Sequence, residues 1–199
     1  MKINVLLAIM ALLLAFTPAQ TDVPTKPEDI SPLLIGETIP DVKLLTVAGE
    51  SVSLKAEVAK KPTLLVFYRG GWCPYCTKHL AELRTIQPDM DRLGYQMIAI
   101  STDAPEGLKA TIDKSELTYT LLSDADVTVA KAFGLAFKAP ARNGDMLVKS
   151  SSGKNTDKLL PVPAVLVLDQ NGVIKYEHIN PNFKERVSVK LLKAVIGAT

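Results

Sequence analysis

Apolar and polar positions fall into short blocks that change period along the chain. Thr63-Leu64-Leu65-Val66-Phe67-Tyr68, after Pro62, is a continuous apolar run of the kind that forms a strand covered on both faces. Before it, Val42 to Val47 and Ser51 to Leu54 flank Ala48-Gly49-Glu50, which reads as a hairpin. After it, Leu80, Leu83, Ile86, Met90 and Leu93 recur at helical spacing, with Pro88 expected to kink the helix and Gly94 to end it. Met97 to Ser101 predicts the next strand. Asp103 and Glu106 suggest a capping box for a short helix reaching about Ser115. Tyr119 to Leu122 predicts a brief strand, and Val127, Ala130 and Phe133 a helix stopped by Gly134. Residues 135–161 carry no clear period. Val165 to Leu168 and Val173 to His178 form a hairpin around Asp169-Gln170-Asn171-Gly172, and Lys184 to Ile196 predicts a closing helix packing Val187, Leu191 and Val195 inward. Strands alternating with helices imply an α/β layer structure with a mixed central sheet.

The first block differs from all of these. Lys2 precedes a stretch from Ile3 to Phe16 that is apolar apart from Asn4, and Thr17-Pro18-Ala19 supplies small residues for cleavage before Gln20. This has the shape of a secretory signal peptide over residues 1–19, too short to span a bilayer comfortably because about 20 residues are needed. Export implies an oxidising compartment, the periplasm if the source is Gram-negative, and no stable membrane association after cleavage. Residues 20–38, with Pro24, Pro27 and Pro32, read as a flexible leader, leaving one domain over residues 39–199. The length of 199 residues suits one well-buried domain. The formal net charge of +2 has no Lys/Arg block behind it, so nothing points to nucleic acid.

Cys73-Pro74-Tyr75-Cys76 follows the buried strand directly and opens the helix. Unpaired N–H groups and the positive end of the helix dipole favour a thiolate at Cys73, and the thiolate is the nucleophile. Cys76, one turn on, can attack a mixed disulfide at Cys73. Pro74 suits the first helical position. Trp72 can shield one side of the sulfur, and Arg69 adds positive charge. Three plainer readings stand beside this one. A structural disulfide would close only two intervening residues and stabilise little. A zinc site lacks ligands, since the other candidates are His79 and His178. Unrelated buried thiols are the third. His79 is expected to be a solvated helix residue, Tyr68 a core aromatic and Asp103 a helix cap.

Phe67 to Cys76 resembles the active-site segment of the peroxiredoxin-like branch of the alkyl hydroperoxide reductase / thiol-specific antioxidant family. Leu121 to Asp126, Val129 to Gly134 and Leu160 to Asp169 are similar to later segments of the same family, so the resemblance runs from about Ile39 to the C-terminus. It implies a thioredoxin fold, no cofactor, Cys73 as the attacking and Cys76 as the resolving cysteine, and a thioredoxin-like or glutathione-like thiol donor. It also implies that Pro163 is a cis-proline facing the site, with the Val162 backbone free to pair with an extended substrate. The chain departs from true peroxiredoxins at two places. Gly70 stands where they carry Thr or Ser, and Pro163 where they carry an Arg. Arg69, or Arg142 if its loop folds over the site, could supply part of the missing polarity. The expectation is a thiol oxidoreductase reducing a peroxide or a protein disulfide, with the Cys-Pro-Tyr-Cys motif leaning towards disulfide exchange. The rival is a copper(I) chaperone using Cys73, Cys76 and His178.

Overall fold

The computed structural model describes residues 22–198, so the signal-peptide expectation lies outside the described residues. β1 (Lys43–Leu45) and β2 (Ser51–Ser53) form the expected hairpin, followed by α1 (Leu54–Val58) and β3 (Thr63–Phe67). Then come α2 (Pro74–Arg84), α3 (Gln87–Arg92), β4 (Gln96–Ser101), α4 (Pro105–Ser115), β5 (Thr120–Ser123) and α5 (Thr128–Ala132). The stretch without a clear period holds β6 (Ala136–Lys138), α6 (Gly144–Ser150) and β7 (Leu159–Pro161). β8 (Ala164–Leu168), β9 (Ile174–Ile179) and α7 (Val189–Ala198) close the fold.

Seven strands make one mixed sheet in the order β2-β1-β5-β4-β3-β8-β9, with β6 and β7 as a separate ribbon. β3 lies parallel to β4 and antiparallel to β8. Alternation along these strands sorts side chains to opposite faces. Leu64, Val66, Met97, Ala99, Val165 and Val167 meet Leu80, Leu83, Leu108 and Leu192 in one core. Leu65, Phe67, Ile98, Ile100, Leu166 and Leu168 join Leu54, Val129 and Phe133 in the other. A sheet buried on both faces is why its inner strands read as unbroken apolar runs.

Four expectations are corrected. The kink at Pro88 is a complete break: α2 ends at Arg84 and α3 restarts with the proline in its first turn, where the missing N–H is tolerated. Residues 22–38 are not a free leader. Leu33 N–H donates to Phe133 at 3.2 Å, Gly36 to Ile174 at 2.8 Å, and Lys138 N–H to Pro24 at 2.8 Å, while Val23, Ile30 and Leu33 pack on the domain. Asp103 caps no helix, because α4 starts at Pro105 behind Ala104. The last helix begins only at Val189, with the Ser188 hydroxyl accepting from Leu191 N–H at 3.2 Å. Leu192 and Ile196 pack inward there, and Leu191 is exposed.

Candidate active site

β3 delivers the chain to the site. Its last residue pairs with Ala164 of β8, so the segment leaving β3 and the segment entering β8 emerge at the same edge. Tyr68, Arg69 and Gly70 then turn the chain, and Cys73 N–H donates to Gly70 at 3.1 Å. Gly71 N–H donates to a carboxylate oxygen of Asp103 at 2.7 Å, tying the turn to the end of β4. Gly70 has φ +146, and a Cβ there would stand 2.2 Å from the indole nitrogen of Trp72 and 2.8 Å from Asp103 Oδ1. This explains why no threonine or serine occupies the position: the space is filled and the backbone favours glycine.

Cys73 is the N-cap residue of α2, with Pro74 in the first turn. Its carbonyl accepts from Cys76 N–H and Thr77 N–H, both at 3.0 Å. Both cysteines are free thiols and buried. The Cys73 thiol is held down to about 6 from an ordinary 9.0. The largest cause is a hydrogen bond from the Cys76 thiol. Burial opposes it, and the Cys76 N–H, Arg69 and Arg186 add to the lowering. The same pairing pushes Cys76 well above the usual thiol range, because it gives its proton to the Cys73 bond, is buried, and faces the Cys73 charge. Environment therefore separates the two sulfurs into an ionised and a protonated partner.

Arg69 is buried, its guanidinium 5.1 Å from the Trp72 ring centroid and 4.1 Å from that of Phe183. Tyr75 meets Phe183 edge-on at 5.6 Å. Cys73 is only 1% exposed. Beside Arg69 and Phe183 lies a cavity of about 370 Å³, also lined by Phe137, Lys138, Arg142 and Pro163, among others. It carries three cationic side chains against an apolar wall.

The structure brings Cys73, Cys76, Arg69, Trp72 and Pro163 to one place and changes the expected role of several residues. No peptide bond is cis among the described residues, so Pro163 is trans. Val162 is fully buried and its N–H donates to Leu135 at 2.9 Å, so that group is already paired with the chain itself. His79 is buried, not solvated, and burial pushes it down to about 4. Its place one turn from Cys76 and beside Leu80 on the inward stripe was the available signal. Arg142 lines the cavity. Arg186 was not anticipated: its Nη2 donates towards Cys76 Sγ at 3.6 Å. The sequence period runs a helix through it from Lys184, and only the late start of α7 frees it to reach the sulfur. Among the described residues no group of three or more His, Cys, Asp or Glu side chains is placed to hold a metal ion, which removes the support for a copper chaperone.

The AhpC/TSA family model matches residues 35–177. This chain belongs to the AhpC/TSA family. As a member it is a peroxiredoxin-like thiol-dependent oxidoreductase of the thioredoxin superfamily. It is 31% identical over 155 residues to peroxiredoxin Bcp of Escherichia coli K12, covering 78% of this chain and 90% of that one. It is 39% identical over 106 residues to the putative peroxiredoxin bcp of Haemophilus influenzae, covering 53% and 68%. Its fold matches the crystal structure of peroxidoxin BcpB from Mycobacterium tuberculosis with a TM-score of 0.67 at 22% identity, over 82% of this chain and 96% of that one. It also matches reduced Prx3 of Vibrio vulnificus in complex with hydrogen peroxide, with a TM-score of 0.69 at 18% identity, over 82% and 99%.

Proposed function

We propose that this protein reduces peroxides through Cys73 as the attacking thiolate and Cys76 as the resolving thiol. The observation that carries the reading is the acidified Cys73 at the mouth of α2, hydrogen-bonded by the thiol one turn away. The Cys73 thiolate attacks one peroxide oxygen, the O–O bond breaks, and the alkoxide or hydroxide leaves and takes a proton. Cys73 becomes a sulfenic acid. Cys76 sulfur then attacks Cys73 sulfur, forming a disulfide and releasing water. A thioredoxin-like or glutathione-like thiol returns both cysteines to the reduced form.

Arg69, whose charge already acts on Cys73, is proposed to supply part of the polarity missing at Gly70 and Pro163 and to steady the negative charge that develops on the leaving oxygen. The cavity beside it suits the organic part of a hydroperoxide, with Arg142 and Lys138 favouring an anionic one. The protein is also proposed to be exported, cleaved after residue 19 and active in an oxidising compartment; the pattern of residues 1–19 supports this.

Peroxide consumption with a dithiol reductant tests the assignment. Cys73→Ser should abolish turnover. Cys76→Ser should still consume about one peroxide per protein in a single turnover and accumulate Cys73 sulfenic acid or a mixed disulfide. Undiminished turnover by Cys73→Ser would refute it.

A further inference from the structure

The reduced state accounts for the first step and leaves a difficulty for the second. Cys76 must attack as a thiolate, yet in the reduced protein it is the proton donor of the pair and deeply buried. Two of the influences that keep it protonated come from Cys73 itself: the hydrogen bond to the Cys73 sulfur and the charge on it. When Cys73 becomes a neutral sulfenic acid the charge is gone, and any hydrogen bond from Cys76 goes to an uncharged and weaker acceptor. Burial is then left as the main opposition, and one cationic side chain points at the Cys76 sulfur.

That side chain is Arg186, whose Nη2 lies 3.6 Å from Cys76 Sγ. Several contacts hold it there. Its Nη1 donates to the Glu185 carbonyl at 2.8 Å. The next residue, Val187, is buried in the core that contains both cysteines, and its carbonyl accepts from the buried His79 ring. Among the described residues Arg186 forms no ion pair with a carboxylate. The other ionisable groups acting on Cys76 are Cys73, the buried Tyr68 hydroxyl, and Arg69 through its backbone. His79, one turn along the helix, is neutral at ordinary pH and carries an ε nitrogen with no partner.

We propose that Arg186 is a catalytic residue for the resolving step, holding Cys76 as a thiolate once Cys73 has been oxidised and aligning it for attack. The step balances as follows. Cys76–S⁻ displaces hydroxide from Cys73–SOH, the S–O bond breaks and the S–S bond forms. The hydroxide takes up the proton that Cys76 lost, giving water. No electron leaves the protein in this step. The two electrons taken from the sulfurs went to the peroxide, already reduced. This inference rests on the assignment of Cys73 and Cys76 above.

Rapid mixing of reduced protein with hydrogen peroxide, quenched into a sulfenic-acid trap and read by mass spectrometry, separates the two steps. Arg186→Met should slow disappearance of the Cys73 sulfenic acid by on the order of tenfold, with a smaller change in its formation. Sulfinic acid should accumulate under excess peroxide, since the intermediate waits longer. Arg186→Lys keeps the charge without the fork and should recover much of the resolving rate. An unchanged sulfenic-acid lifetime in Arg186→Met would overturn the proposal. So would equal slowing of both steps, or a lysine variant as slow as the methionine one. Failure of wild-type protein to form any Cys73 sulfenic acid would instead sink the underlying assignment.

Discussion

A thiol with the ordinary acidity of cysteine is a few per cent ionised near neutrality, and Cys73 escapes that limit through its neighbours. The dominant neighbour is the Cys76 thiol, ahead of either arginine. Cys76 thus does more than wait to form a disulfide: its proton stabilises the attacking anion beforehand. Cys76→Ala removes that donor, and the acid limb of the rate of Cys73 oxidation should move to higher pH. The sign follows from the cause, because losing a hydrogen bond to the charged form raises the pKa. A pH–rate profile of the first step measures it. The cysteine pair and Arg69 were legible in the sequence because their spacing and position after a buried strand are local properties. Arg186 was not, since its meeting with Cys76 depends on where a distant helix starts.

Among elements, the cysteine turn hangs between β3 and α2 and is braced from β4. Asp103 follows that strand, is buried, and accepts from Gly71 N–H at 2.7 Å, with burial raising its carboxyl. Asp103→Ala leaves that N–H without its partner and should cost about 1–3 kcal/mol of stability. Chemical denaturation reads the loss, and faster hydrogen exchange at Gly71 locates it. The pattern Asp103 to Glu106 imitates a capping box, and only the packing of β4 against the turn shows where the carboxylate goes. The inner strands were readable because burial on both faces leaves an uninterrupted apolar run. The sequence period starts the closing helix at Lys184, five residues before its true start, because Val187, which fits that period, is buried from an irregular segment. Residues 135–161 gave no period because β6, α6 and β7 are each too short to repeat one.

Across the whole molecule, chemistry is concentrated at one edge of the sheet, where β3 ends, β8 begins, and the segment before α7 returns. Two cores of alternating side chains hold that edge in place. Fold class follows from the order of the elements, and the family from the segment Phe67 to Cys76 and the similar segments after it. The packed stretch before Ile39 and the trans Pro163 emerge only from long-range contacts that no local pattern encodes. The central claim is that this arrangement separates two neighbouring thiols into one acidic and one strongly protonated partner. Competitive alkylation of the reduced wild-type protein across pH, with each cysteine quantified by mass spectrometry, tests it directly. Relative reactivity against pH separates ionisation from the limited exposure of Cys73. Cys73 should be half-reactive near pH 6, its reactivity fading as pH falls through that value, with Cys76 unmodified until far more alkaline conditions. Both cysteines titrating together near the ordinary thiol value would contradict the account.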